Sequence, residues 1–256
     1  MTVGGDATGA PPQLETASAT GPRAAPEDGP QPPLDGLLNP VGAWSLLLVD
    51  ALAQAGVQQI VITPGSRSTP FVLAALRHGG LDCTSLIDER VASFHALGFA
   101  KATQRPTALL CTSGSAPAHY LPALIEASLS YVPLVVLSAD RPLSLQDCGA
   151  PQTIDQVKLF GDHVRFFGDL GHPETDPESL LALRRMVVQA VAAATHPRPG
   201  PVHLNARARK PLEPRPAQGP AELDAAAIAA RLTRRLVTRA SVPEMSASQQ
   251  TCDELA

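Results

Sequence analysis

The apolar positions of the chain follow two spacings, one typical of helices and the other typical of buried strands. A helical spacing starts at Asn39 and Pro40, an N-cap followed by proline at the first helical position, and ends at Gly56. Short apolar runs predict strands at about 58–63, 83–87, 107–111, 133–139, 164–167 and 201–205. Helices are predicted at about 69–77, from 88 onward, from the turn at 112–117 to about 129, at 153–160 and at 176–194. Strands that alternate with helices in this way indicate an α/β fold, a doubly wound parallel sheet with helices on both faces.

The two ends of the chain lack this periodicity. Residues 1–38 are rich in Pro, Gly, Ala, Ser and Thr, a composition that cannot bury enough apolar surface to fold, so we expect a disordered leader. Residues 39–213 are predicted to form the α/β domain. Residues 214–256 are predicted to form a linker, a short helix at about 223–236 and a disordered tail, at most the start of a middle domain.

Composition and charge narrow the class of protein. The net charge of −4, with 17% charged residues, predicts neither a nucleic-acid-binding surface nor an acidic disordered chain. Arg207, Arg209 and Lys210 are interpreted as a solvated strand end. No apolar run reaches membrane-spanning length, and the four cysteines are widely spaced, so a cytoplasmic protein is expected.

An acidic pair stands between the second predicted strand and the helix that follows it. Asp88 suits the N-cap position, which places Glu89 in the first helical turn. The apolar run before the pair predicts that Glu89 is buried, which would make its charge costly. On this segment alone the pair is either a helix cap with an exposed acid or a catalytic carboxylate.

Polar turns follow the first three predicted strands and should meet at one edge of the sheet. Parallel strands bring their carboxyl ends together, so Ser66, Arg67, Glu89, Ser113 and Ser115 are predicted to converge there. Each turn taken alone is also consistent with ordinary helix capping. No phosphate-loop, dinucleotide-binding or nucleophile-elbow motif is present in the sequence.

Five segments together carry a resemblance to a known family. They are ITPGSRSTP at 62–70, DERVASFHALGFAK at 88–101, TSGS at 112–115, SADRP at 138–142 and DCGAPQ at 147–152. They resemble the N-terminal pyrimidine-binding domain of thiamine-diphosphate-dependent enzymes. Within that superfamily they are most similar to the 2-succinyl-5-enolpyruvyl-6-hydroxy-3-cyclohexene-1-carboxylate synthases of menaquinone biosynthesis.

The resemblance implies roles for particular residues. Glu89 would be catalytic, because a carboxyl that shares a proton with the pyrimidine ring nitrogen of thiamine diphosphate favours the imino tautomer of the cofactor. Ser113, Gly114 and Ser115 would bind the cofactor with it. The acidic substrates 2-oxoglutarate and isochorismate would be bound by four residues, which are Ser66, Arg67, Arg141 and Gln152.

The resemblance also has a gap. The family holds the cofactor diphosphate and Mg²⁺ with a Gly-Asp-Gly segment and a downstream Asn, and the sequence has no counterpart of that motif, so no metal site is predicted in it. Two function classes follow. The chain is either a truncated or split form of the transferase, inactive without a diphosphate-binding domain, or a non-catalytic interaction module that keeps the fold and dimer surface. Its expected protein partner is another copy of itself in a homo-oligomer or a separate diphosphate-binding subunit.

Overall fold

The computed structural model describes residues 38–233, so the predictions for residues 1–37 and for the tail from residue 234 lie outside the described residues. The strands are β1 (Gln59–Ile62), β2 (Asp82–Ser85), β3 (Thr107–Cys111), β4 (Leu134–Asp140), β5 (Phe167–Asp169) and β6 (Val202–Arg207). The helices are α1 (Pro40–Gln54), α2 (Thr69–His78), α3 (Glu89–Thr103), α4 (Leu121–Leu129), α5 (Pro177–Thr195) and α6 (Gly219–Thr233).

These strands form one sheet in the order β2-β1-β3-β4-β6-β5, and every neighbouring pair is parallel. Successive side chains of β4 enter two different apolar clusters, with Val135 and Leu137 on one face and Leu134 and Val136 on the other. Both faces are therefore covered by helices, as the continuous apolar run of β4 requires. The predicted α/β fold with a doubly wound parallel sheet is confirmed.

Two layers of helices enclose the sheet. The first layer consists of α1, α2, α5 and α6, and its core includes Trp44 and Phe71, whose ring centroids lie 6.0 Å apart. The second layer consists of α3 and α4, and its core includes Leu97, Leu124 and Tyr120. Small side chains line the inner face of α3, so this helix approaches the sheet closely.

Side-chain caps fix where three of the helices begin. Asn39 caps α1 by accepting a hydrogen bond from the backbone N–H of Gly42. Asp88 caps α3 by accepting from the N–H groups of Arg90 and Val91, as predicted, so Glu89 is the first residue of that helix. Asp176 caps α5 in the same way.

The segment that follows β6 returns to the start of α1. The backbone N–H of Asn39 donates to the carbonyl of Arg215, Leu38 and Pro216 form an isolated antiparallel bridge, and α6 packs against α1. The domain boundary expected at residue 213 stays a prediction. No helix between residues 38 and 233 is long and apolar enough to span a membrane.

Two predicted elements near the end of the domain are wrong in kind or position. Residues 153–156 are irregular and residues 157–160 form turns, so no helix is present here, and the positive φ of 52° at Lys158 is one that a right-handed helix cannot include. The strand expected at 164–167 is β5 at 167–169, where Phe167 and Asp169 pair in register with β6. The earlier predicted strands and helices are present within a few residues of their expected bounds.

The predicted burial of Glu89 is also wrong within this chain. Glu89 is half-buried, and Ile87 just before it is 87% exposed. The physical reason is that β2 lies at the edge of the sheet and is only partly covered, so the apolar run at 83–87 does not enter the core.

Candidate functional site

The turns after β1 and β3 touch each other at the carboxyl edge of the sheet. A Cβ atom added to Gly65 would lie 2.2 Å from the Cβ of Thr112, a distance that no side chain can occupy. Gly114 has a φ of +81°, and a Cβ there would lie 2.7 Å from the Cγ of Gln152. The two glycines therefore let two turns and the loop after β4 meet in one place.

Arg141, which follows β4, reaches the turn after β3. One of its terminal nitrogens donates to the hydroxyl of Ser113 and, at 2.6 Å, to the carbonyl of Gln152. The side-chain amide of Gln152 in turn donates to the carbonyl of Ser113 at 3.1 Å. Three of the predicted site residues thus form one hydrogen-bonded cluster, which we call the Arg141 cluster (Ser113, Arg141 and Gln152).

Arg67 is buried beside this cluster. Its side chain crosses from the turn after β1 to donate to the carbonyl of Ala208 at 2.8 Å, and its Nε has no partner among residues 38–233. Burial lowers the pKa of Arg67, the positive charge of Arg141 lowers it further, and Asp140 partly opposes both effects. Two guanidinium groups therefore lie close enough to repel each other.

The neighbouring acid does not neutralise Arg141. Asp140 is fully buried, and its carboxylate forms an ion pair with Arg207 at 3.0 Å and accepts from the Asn205 amide at 2.9 Å. Arg207 also pairs with Asp169 at 2.7 Å. The interpretation of Arg207 as part of a solvated strand end is therefore wrong, because its side chain is buried and bridges two acids.

Glu89 lies at the other end of the same edge, at the start of α3. Its carboxylate forms no hydrogen bond or salt bridge within the described part of the chain. Its charge is felt by two buried groups behind it, and it contributes to raising the pKa of Cys111 and of Tyr120, although burial is the main cause for both. Tyr120 is hydrogen-bonded to Thr63 at 3.3 Å, so its hydroxyl is held in place, and the raised pKa values keep both Tyr120 and Cys111 uncharged.

The structure does not bring every predicted site residue into contact. The side-chain hydroxyls of Ser66 and Ser115 are exposed and make no hydrogen bond to any described residue. Gly114 is buried and joined to the Arg141 cluster through its chain neighbour Ser113. Glu89 makes no direct contact with the cluster, so the site has an acidic part on α3 and a basic part after β4.

Sequence reasoning missed the buried role of the polar residues on β6. His203, Asn205 and Arg207 are all buried and alternate with the apolar residues Val202 and Leu204. In a strand that is covered on both faces, such an alternation indicates a polar lining on one side of the sheet. That signal was present in the sequence.

Two further features bear on what the site can bind. No group of three or more His, Cys, Asp or Glu residues suited to a metal ion occurs within residues 38–233. A cavity of about 410 Å³ opens beyond the carboxyl ends of β5 and β6, beside Asn39, His172 and Arg209, and none of the predicted site residues lines it.

Comparison with known proteins gives one family and a consistent set of relatives. Residues 44–159 match the family described as thiamine pyrophosphate enzyme, N-terminal TPP binding domain. The chain is 51% identical over 214 residues to a 2-succinyl-5-enolpyruvyl-6-hydroxy-3-cyclohexene-1-carboxylate synthase of Sorangium cellulosum. The aligned region covers 84% of this chain and 34% of the relative.

Two other relatives of the same name show the same pattern. The one from Geobacillus kaustophilus is 53% identical over 174 residues, or 68% of this chain and 30% of the relative. The one from Haloarcula marismortui is 51% identical over 173 residues, or 68% of this chain and 29% of the relative. The chain spans about a third of the length of the curated relatives that it matches.

Proposed function

Residues 44–159 form an N-terminal TPP binding domain of the thiamine pyrophosphate enzymes, and we propose that the chain supplies the pyrimidine-binding part of a synthase of menaquinone biosynthesis. The proposed reaction decarboxylates 2-oxoglutarate and adds the resulting succinyl unit to isochorismate. The observation that carries the proposal is the pair of guanidinium groups of Arg67 and Arg141, which repel each other and form no ion pair with an acid of residues 38–233.

The basic part of the site suits dicarboxylate substrates. Among residues 38–233, Asp140 is the only acid that acts on the pKa of Arg67, and its carboxylate is already bonded to Arg207 and Asn205. A bound carboxylate would relieve the repulsion between Arg67 and Arg141 and would give the buried Nε of Arg67 an acceptor. Planar guanidinium groups bind carboxylates in a bidentate manner, which favours Arg over Lys in this role.

The acidic part of the site suits the pyrimidine ring of thiamine diphosphate. Glu89 is half-buried and carries a carboxylate without a described partner, so it is free to hold a proton at a ring nitrogen. Thiamine diphosphate supplies the carbanion chemistry when it is bound, and Glu89 would set the protonation state of its pyrimidine.

The diphosphate and Mg²⁺ would be held by residues outside the described part of the chain. A partner domain would have to cover the half-exposed carboxylate of Glu89, and the helix that carries it presents an apolar surface together with Ile87, which lies just before the helix. This surface, which we call the α3 face, consists of Ile87 at 87% exposure, Val91 at 58% and Phe94 at 50%. The partner over the α3 face would be a second copy of the protein or a separate diphosphate-binding subunit, and only the separate subunit would supply the diphosphate site.

Reconstitution tests the proposal. The purified chain is mixed with thiamine diphosphate, Mg²⁺, 2-oxoglutarate and isochorismate, alone and together with the part of the Geobacillus kaustophilus relative that the chain does not match. We expect neither tight cofactor binding nor turnover by the chain alone, because residues 38–233 contain no group of metal-ligating side chains to hold the Mg²⁺ that neutralises a diphosphate. We expect turnover in the complemented mixture.

Single substitutions test whether this turnover depends on the proposed site residues. Glu89→Gln should lower the rate by about 10²–10⁴ with little change in melting temperature, because it removes proton transfer but keeps the shape. Arg141→Lys should instead raise the KM for 2-oxoglutarate. Glu178→Gln is the matched control, since Glu178 is also an acid in the first turn of a helix capped by Asp. A stable complex that forms but gives no turnover would favour a non-catalytic interaction module.

A further inference from the structure

Gln156 connects the turn after β3 to the buried polar residues of β6, although it lies in the loop where a helix was expected. Its side chain is 1% exposed. Its Oε1 accepts a hydrogen bond from the backbone N–H of Gly114 at 2.9 Å. Its Nε2 donates to the Oδ1 of Asn205 at 2.9 Å and to the carbonyl of Ala139 at 3.3 Å. All of these groups are buried, so water does not compete for them.

The neighbours of Gln156 allow only one arrangement of donors and acceptors. The Oδ1 of Asn205 also accepts from Ser138 at 2.9 Å, and its Nδ2 donates to the carboxylate of Asp140 at 2.9 Å. A reversed Asn205 amide would turn its carbonyl toward the carboxylate of Asp140. Because Ser138 uses its only proton on Asn205, the Nε2 of His203, 2.7 Å from the Ser138 hydroxyl, must be the protonated ring nitrogen.

This network reaches Arg141 by two routes. On the first route, Asp140 accepts from the backbone N–H of Arg141 at 2.7 Å, and so fixes the backbone from which the guanidinium extends. On the second route, Gln156 holds Gly114, which follows Ser113 in the chain, and the Ser113 hydroxyl accepts from the Arg141 guanidinium. Gln156 is the side chain that takes part in both routes.

We propose that Gln156 is a positioning residue, which holds the Gly114 turn and the guanidinium of Arg141 in one fixed relation to each other. It acts through Gly114 on one side and through Asn205 and Asp140 on the other. The inference rests on the proposed function in one respect, namely that Arg141 binds a substrate carboxylate. A residue that only anchored the loop would stabilise the chain without affecting how Arg141 is placed.

The experiment compares three variants of the full chain by NMR and calorimetry. Gln156→Leu removes both ends of the amide at similar volume. Gln156→Glu keeps an acceptor for Gly114, but its second oxygen can donate to Asn205 only when it carries a proton. Gln59→Leu is the matched control, because Gln59 is also a buried glutamine but lies at the far end of β1.

The first readout needs no ligand. Gln156→Leu should shift the Gly114 amide resonance and raise its hydrogen-exchange rate at least tenfold, and should broaden the Arg141 Nε–H resonance. Gln156→Glu should show the same defect for Arg141 at pH 8 and recover at pH 5. The nearby charged groups are Arg141 itself and the ion pair of Asp140 with Arg207, and His203 is neutral at both pH values because burial lowers its pKa to about 3.

The second readout is binding of 2-oxoglutarate at pH 8. We expect Gln156→Leu to weaken it about tenfold, the loss of roughly one well-placed hydrogen bond, and Gln59→Leu to leave it unchanged. If the parent chain does not bind 2-oxoglutarate, the proposed substrate is wrong, and the Gly114 and Arg141 resonances alone decide the positioning role. That role is excluded if both resonances are the same in Gln156→Leu and the parent, or if Gln59→Leu changes them equally.

Discussion

At the scale of single residues, the site depends on which hydrogen-bond or ion-pair partner each buried charge or amide group has. Asp140 illustrates the point, since it is fully buried yet accepts hydrogen bonds from Asn205 and the backbone of Arg141 and pairs with Arg207. Removing one partner of such a group leaves a buried charge without compensation, which costs far more than a surface ion pair contributes. The adjacent residue, Arg141, keeps its guanidinium available because Asp140 is already committed.

His203 leads to a prediction about pH. Burial lowers its pKa to about 3, with the charge of Asp169 partly opposing that effect, whereas an unfolded histidine titrates near 6.5. Above both pKa values the histidine is neutral in the folded and in the unfolded chain, so it does not make the free energy of unfolding depend on pH. Between them the unfolded chain takes up a proton that the folded chain does not, so the free energy of unfolding should fall by about 1.4 kcal/mol per pH unit as the pH drops.

Denaturant titrations between pH 4.5 and 6 measure this slope. The glutamine of His203→Gln can still donate to Ser138 but does not titrate. Its free energy of unfolding should therefore change with pH less steeply than that of the parent, by the contribution of about one proton, whatever the absolute stability of the variant. His163→Gln, an exposed position, serves as the control. Equal slopes in the parent and in His203→Gln would show that the buried ring does not titrate in this way.

The helix caps could be predicted from the sequence, whereas the partners of the buried Asp140 could not, and the difference has a physical reason. Asp88 and Asn39 were recognised as caps because capping depends on local sequence alone. The partners of Asp140 could not be identified in the same way, because Asn205 and Arg207 lie more than sixty residues later in the chain. Only the strand alternation on β6 pointed to them, and it does not say which acid they face.

At the scale of elements, the turn after β3 and the loop after β4 form one unit. Gly114 combines a positive φ of +81° with a close approach to Gln152. Gly149 has a φ of +69°, but a Cβ atom added to it would meet nothing within 4 Å. Gly149→Ala should therefore cost only the backbone strain, about 1 kcal/mol, or a few degrees of melting temperature.

Gly114→Ala should cost clearly more, because the new methyl group must push Gln152 aside in addition to straining the backbone. It should also weaken 2-oxoglutarate binding by disturbing the Arg141 cluster, an effect that Gly149→Ala should lack. Thermal unfolding and calorimetry of the two variants side by side check this. Similar melting temperatures for Gly114→Ala and Gly149→Ala would mean that Gln152 and the loop after β4 can move aside at little cost in stability.

The loop after β4 is also where element prediction failed. Its buried residues Gln156 and Phe160 are four positions apart, a spacing that suggests a helix. The backbone between them instead turns at Lys158, and both side chains point at β6, where the Phe160 ring packs edge-on against His203 at 4.8 Å. Tertiary contacts to a distant strand override the local pattern here, whereas the regular elements were found because their packing agrees with their local preference.

At the scale of the whole molecule, the α3 face is the apolar surface that the proposed partner would cover. Val91→Glu should weaken association, either of the chain with itself or with the complementing part of a relative, because it places a charge in the contact. It should not lower the melting temperature, since Val91 is 58% exposed and an acid is favourable in the first turn of a helix.

Leu129→Glu is the control for that prediction, because Leu129 is 73% exposed but lies at the end of α4. Sedimentation velocity of each variant, alone and in the complemented mixture, gives the comparison. The α3 face is not the contact surface if Val91→Glu and Leu129→Glu associate as well as the parent.

The position of β6 has a consequence for synthesis on the ribosome. It is the last of the described strands in sequence, yet it occupies the slot between β4 and β5. A nascent chain that has emerged only as far as β5 therefore has an unpaired edge on β4, and Asp140 still lacks both Arg207 and Asn205. The acidic part of the site can form early in translation, whereas Arg141, the arginine proposed to bind substrate, is set in place only when the final strand arrives.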